Sequence, residues 1–160
     1  MTDYFKKMFA YDVAVNAQML TWLREAPDVD SDTDDDTYNR VRVIFAHLLA
    51  AEKVWLLRLC GKDAASQAIW PELSLEACGA LLEENRKGYT RYLEDISETD
   101  LGGTVQYQNS QGKPFETSVE DILSHVLVHS GYHRGQVTRM LRDVGAEPLN
   151  TDYISYVRSL

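Results

Sequence analysis

The chain has 160 residues, 44% of them hydrophobic, with 16 basic and 25 acidic side chains and a formal net charge of −9. That length and apolar content suit a single domain over residues 1–160 with a real core, and basic residues scattered among a larger number of acids argue against a nucleic-acid partner, which needs clustered positive charge. No run of ~18 apolar residues is present to span a membrane.

The amino terminus, Met1-Thr2-Asp3-Tyr4-Phe5-Lys6-Lys7, lacks the basic start, apolar middle and small-residue cleavage site of a secretory signal, so the expected compartment is the cytoplasm. Cys60 and Cys78 form no CxxC pair and read as reduced thiols. Residues 4–25 read as a first helix, with Phe9, Val13, Ala17, Leu20 and Leu23 at helical intervals before Pro27. Asn16 falls on that inward stripe. A buried amide without partners costs ~1–3 kcal/mol, so Asn16 belongs either to a structural network or to a polar pocket.

The acidic stretch over residues 28–36 reads as a solvated interhelical loop. Its Asp30, Asp32 and Asp34 imitate the start of a calcium loop, but Asp35 stands where glycine is required and Val41 where the closing glutamate belongs. A second helix is expected over residues 38–60, ending at Gly61, which suits a left-handed carboxyl-terminal cap. Its inward stripe is Ile44, His47, Leu48, Ala51, Val54 and Trp55, while Arg42, Glu52, Lys53 and Arg58 point elsewhere. Glu52 lies about 140° around the helix from His47, a poor position for an acid beside that histidine.

Residues 62–74 read as an irregular connection in which Trp70-Pro71 is a fixed, extended step. Ser74 caps a third helix carried by Leu75, Cys78, Leu81, Leu82, Tyr89, Tyr92, Leu93 and Ile96, a scaffold in which Gly88 marks close packing. Over residues 101–116 the period changes: Val105 and Tyr107 alternate with polar residues, Asn109-Ser110-Gln111-Gly112 supplies a turn, and Phe115 follows. This predicts a short hairpin, which must lean on helices to be stable.

Thr117, with Glu120 three residues on, predicts a capping box opening the last long helix, which runs to Val144 and stops at Gly145. Ile122, Val126, His129, His133, Gln136, Val137, Met140 and Val144 form its inward stripe. The tail carries Tyr153, Ile154, Tyr156 and Val157, which dock on the bundle or on a second subunit.

Three of the chain's 4 histidines lie in this last helix at intervals that stack side chains on one face. Two buried imidazoles on adjacent turns are costly to protonate together or to leave unpaired, and a shared cation accepting both lone pairs resolves the conflict. The expectation is that His129 and His133 meet His47 across two packed helices and bind a divalent transition metal. Neutral imidazoles suit zinc, nickel, iron or copper, and three protein ligands leave a position open for water or substrate. Ser130 stands where a zinc-protease HExxH motif needs glutamate. His125, rotated by about 40° from His129, is expected to support or cap the ligands.

Gln136 is placed to hydrogen-bond a ligand or orient a histidine. Tyr132 reads as packing, with a hydroxyl near the open metal position as the alternative. Arg134 is expected to pair with an acid at the helix surface or a dimer interface. Gly135 is expected to let a neighbouring helix approach closely.

The segment from His125 through His129 to Tyr132-His133-Arg134-Gly135-Gln136 resembles the signature of the DinB/YfiT-like family of metal-dependent proteins, named for a DNA-damage-inducible bacterial member. Tyr11-Asp12, Asn16, Phe45-Ala46-His47-Leu48 with Glu52 and Trp55, and the hairpin extend the likeness over nearly the whole chain. Val128 stands where many members have asparagine, and Gly131 where threonine or a serine-like residue is commoner; neither change removes a ligand.

The resemblance implies an all-α four-helix bundle in up-down-down-up order, a homodimer, and metal ligands His47, His129 and His133, with zinc or nickel as the metal. Despite the family name, nothing in the sequence suggests DNA polymerase activity or direct lesion binding. Some branches use low-molecular-weight thiols, so the expected activity is a metal-dependent hydrolase or thiol transferase acting on a small molecule, with no catalytic residue assigned. The alternative is a non-catalytic, stress-response metal-binding protein.

Overall fold

The computed structural model describes residues 1–25, 35–147 and 149–160. Pro27, Pro148 and most of the acidic stretch, with the calcium-loop reading placed on it, lie outside the described residues. The elements in chain order are α1 (Thr2–Glu25), α2 (Asp35–Leu59), α3 (Leu75–Asp95), α4 (Glu98–Leu101), β1 (Thr104–Gln108), β2 (Pro114–Ser118), α5 (Val119–Asp143) and α6 (Tyr153–Arg158). Among the described residues no helix is long and apolar enough to cross a membrane.

The four long helices form an all-α bundle whose core is layered. One apolar cluster joins Met19, Leu20 and Leu23 to Val41, Phe45, Leu48, Leu49, Cys78, Leu82, Val137 and Leu141. A second joins Phe5 and Phe9 to Leu56, Leu59, Tyr89, Leu93, Ile122, Leu123 and Val126. Along α1 and α5 the second cluster comes before the first; along α2 and α3 the order is reversed. The chain therefore runs up, down, down, up. Side chains at intermediate positions, Asp12, Asn16, Glu52, Asn85, Ser130 and Arg134, are buried and polar.

Helix ends follow local chemistry. Gly61 adopts φ 65, and the N–H of Lys62 reaches back to Leu57 O at 2.8 Å, satisfying an orphan carbonyl of α2. Gly145 does the same for α5 with φ 84. Ser74 caps α3 by accepting from Ala77 N. The cap of α5 is Ser118, which accepts from Asp121 N at 3.1 Å and donates to Asp121 Oδ2 at 2.6 Å. Thr117, the expected cap, is instead a ladder residue opposite Val105.

The hairpin pairs β1 and β2 antiparallel, from Thr104↔Ser118 to Gln108↔Pro114. It leans on α2 through an edge-on contact of Tyr107 with Trp55, ring centroids 5.2 Å apart. The tail folds back on α1: Tyr11 donates to Thr151 O at 2.6 Å, and the rings of Tyr153 and Tyr156 pack against Tyr11. Two positions expected on inward stripes face out, since Ala17 is exposed and Val144 is 41% exposed. Each lies at the edge of a stripe that the neighbouring helices do not cover.

Gly88 brings α3 against α2, because a Cβ there would collide with Cδ2 of the buried Leu56. At Gly79 an added Cβ would meet the Arg24 guanidinium at 2.8 Å and Leu20 Cδ2 at 3.3 Å, and the former is free to swing away. Gly88→Ala is expected to lower stability by about 1 kcal/mol, overpacking of ~1–3 kcal/mol being partly offset by helix propensity. Gly79→Ala is expected to be neutral or stabilising. Urea unfolding of both variants checks this ordering; equal stabilities would contradict the close approach.

Candidate metal centre

The histidines are positioned by α2 and α5, which run antiparallel with their inward faces in register. His47 and His133 are buried and His129 half-buried. One ligating nitrogen from each lies within 4.8 Å of the others, and no further His, Cys, Asp or Glu joins the group among the described residues. His129 Nε2 and His133 Nε2 stand 3.1 Å apart. Nitrogens about 2.0–2.1 Å from a tetrahedral zinc ion are separated by about 3.3 Å, so the donor pair fits a shared cation.

The ring of His47 is held from two sides by the irregular connection. Its Nδ1 lies 2.7 Å from Ile69 O. A carbonyl only accepts, so Nδ1 carries the proton and Nε2 keeps its lone pair. Trp70 stacks flat on the same ring, centroids 3.6 Å apart at 6°, while remaining 57% exposed on its outer face. Gln136 Oε1 lies 2.8 Å from His133 Nδ1, a contact that leaves Nε2 of that ring toward His129.

His125 is exposed; its ring packs on Trp55 at 5.1 Å and stands 5.6 Å from His129. Tyr132 is 64% exposed and touches His133 edge-on. Gly135 is exposed, with nothing within 4 Å of a Cβ placed there, so it mediates no close helix approach in this chain.

Burial disfavours the charged form of two of the rings. Burial, then His133, His47 and His125, push His129 down to about 4. Burial also lowers His47, against the opposing hydrogen bond to Ile69. Unprotonated imidazoles are what a divalent ion requires.

Behind the histidines lies a polar layer that periodicity did not reveal. Arg134, expected at the surface, is 3% exposed and ion-paired to Asp12. Its Nη1 also reaches Asn16 Oδ1 at 2.9 Å and Ser130 Oγ at 3.0 Å. Glu52, expected to point away, is 4% exposed. Its carboxyl accepts from Asn16 and Ser130 at 3.0 Å each and from Asn85 at 3.1 Å. Asn16 is thus a network residue. Burial, with the neighbouring Asp12 carboxylate, raises Glu52 well above the ordinary carboxylate range against the pull of Ser130 and Arg134.

The signal for this layer was present in the spacing. Asp12 and Asn16, and Ser130 and Arg134, are pairs at i, i+4, each one helical turn apart on a face adjoining apolar positions.

Two measurements follow. Arg134→Met leaves Asp12 buried without its cation and is expected to cost ~3–5 kcal/mol, whereas Asp12→Asn with Arg134→Met costs less than the sum of the single changes. Additive losses in urea unfolding would refute the pairing. Separately, a histidine lowered in the folded state binds its proton more readily when unfolded, so its contribution to stability is present above the ordinary 6.5 and is lost as pH falls toward about 4. NMR titration of metal-free protein is expected to give His129 a midpoint near 4; a midpoint at or above the ordinary value would contradict its burial among like neighbours.

The chain has counterparts among known sequences. Protein DinB of Bacillus subtilis (strain 168) is 26% identical over 164 residues, an alignment covering 98% of this chain and 95% of that protein. The match to the DinB family extends over residues 1–159. With essentially its whole length accounted for by that match, the chain belongs to the DinB family.

Proposed function

We propose that His47, His129 and His133 hold one divalent transition metal, zinc or nickel, and that the protein is a metal-dependent enzyme acting on a small electrophilic molecule with water or a low-molecular-weight thiol as the attacking group. The observation that carries this reading is the shared direction of the donors. Ile69 fixes the tautomer of His47, and two further ring nitrogens converge on the same space. Such an ion supplies, when bound, positive charge that lets a coordinated water or thiol ionise near neutral pH.

The chain's own residues perform the other tasks. Ile69 and Gln136 orient two of the rings. Trp70 covers one face of His47 and excludes water from it. Half-buried His129 gives the cluster a solvent-facing opening. That opening, with three protein ligands in place of four, favours turnover over a purely structural ion. Glu52 serves the scaffold, since its carboxyl is engaged by Asn16, Ser130 and Asn85.

Elemental analysis of tag-free protein purified without chelators is expected to give about one equivalent of zinc or nickel, lost in His47→Ala and in His129→Ala. The same variants are expected to lose any hydrolytic or thiol-transfer activity found by screening wild type. Failure of wild type to take up any supplied divalent ion would remove the proposal; full metal content without turnover on any substrate would favour the non-catalytic alternative.

A further inference from the structure

A cleft of about 410 Å³ lies between the carboxyl end of α2, the start of the irregular connection and the hairpin. This falls within the ~300–1,000 Å³ of small-molecule sites. Its wall includes Ile69, the residue whose carbonyl holds His47, and it extends to Arg58, Lys62, Tyr107 and Gln108. Trp55 links the two places, with His125 against its ring at 5.1 Å and the Arg58 guanidinium over it at 4.5 Å. Cleft and histidines are therefore neighbours sharing a wall.

Arg58 is unusually prepared for a ligand. Its guanidinium is clamped between Trp55 and Tyr107, 4.5 and 4.6 Å from the ring centroids. It donates one hydrogen bond, to Gln108 O at 3.2 Å. Its Nε–H is buried without a partner, and among the described residues no carboxylate pairs with it. Burial lowers its pKa, so the charge is held at a cost that an anion would relieve.

The other charged groups lining the cleft are Lys62 and Asp63, and Asp63 Oδ1 accepts from Ala65 N at 2.8 Å. In a chain of net charge −9, the cleft wall thus carries an excess of positive charge. A planar guanidinium fixed by two rings with donors unspent is suited to a carboxylate.

We propose that this cleft binds the carboxylate of a small-molecule substrate on Arg58, orienting the rest of that molecule toward the three histidines. Only the second half rests on the metal-dependent reading. The anion subsite stands or falls separately. Succinate is the probe and its neutral diamide the control, with the Arg58 Nε–H resonance, assigned by its loss in Arg58→Gln, as a readout that needs no variant to bind.

Succinate is expected to bind wild type saturably and shift that resonance, and succinamide to do neither. Arg58→Gln is expected to weaken succinate binding about tenfold or more. Wild type stripped of metal by a chelator is expected to bind succinate as the untreated protein does. An unmoved Arg58 resonance, undiminished binding in Arg58→Gln, or loss of binding in chelator-stripped wild type would overturn the assignment, the last by placing the anion on the metal. A responding Arg58 in protein that takes up no metal would leave the subsite intact and remove the metal reading alone.

Discussion

The ion pair between Arg134 and Asp12 is the constraint on which the rest of the bundle depends. Both side chains are almost fully buried, at 3% and 2% exposure, where an unmatched charge would cost several kcal/mol. The chain meets that cost by surrounding the pair with donors and acceptors from four helices: Asn16 from α1, Glu52 from α2, Asn85 from α3 and Ser130 from α5. Ser130 accepts from Arg134 and donates to Glu52, and so joins the pair to the second carboxyl. Burial beside Asp12 raises the Glu52 carboxyl well above the ordinary range, which lessens the negative charge that the single guanidinium has to balance.

This layer sets the register of the helices. The apolar clusters on either side of it are built mainly from Leu, Val, Phe, Ile and Met, whose contacts tolerate sliding and rotation better than directional bonds do. The polar groups close their bonds at one register only. His129 and His133 each precede a network residue, Ser130 and Arg134, so fixing the network fixes the rotation of α5 that turns both imidazoles toward α2. Glu52 does the same for α2 and His47. The three histidines and the polar layer are two faces of the same pair of helices.

The helices, the hairpin and the histidine cluster were legible because each rests on a local rule. Period 3.6 marks the long helices, period 2 with Asn109 and Gly112 marks the hairpin, and Gly61 and Gly145 mark helix ends. The polar layer was passed over, although its i, i+4 pairs stand in the sequence, because helical patterning assigns charged residues to solvent. Glu52 and Arg134 violate that rule together, and each is intelligible only in the presence of partners from other helices. Residues from Phe45 to Glu52 are buried on every side of α2, so no single inward stripe describes them. Thr117 and Ser118 both have an acid three residues on; both stand in the strand ladder, and it is the last residue of β2, Ser118, that also caps the helix. Ile69 and Trp70 sit in a segment without periodicity, and only the tertiary fold reveals that they hold His47.

These two kinds of residue divide the site. The donors His47, His129 and His133 stand on long helices locked by buried hydrogen bonds, which suits groups whose placement must hold to fractions of an ångström. The surroundings of the donors come from the irregular connection and the hairpin: Ile69 and Trp70 on one side, Tyr107 and Gln108 on the other. Such segments can change in length and sequence without disturbing the helical register, because none of the buried network bonds passes through them. A bundle built this way can keep its donor geometry while the walls that select a ligand vary. In this chain Arg58 lies at the junction, on the last turn of α2 and against the hairpin, where the helical scaffold meets the segments that surround it.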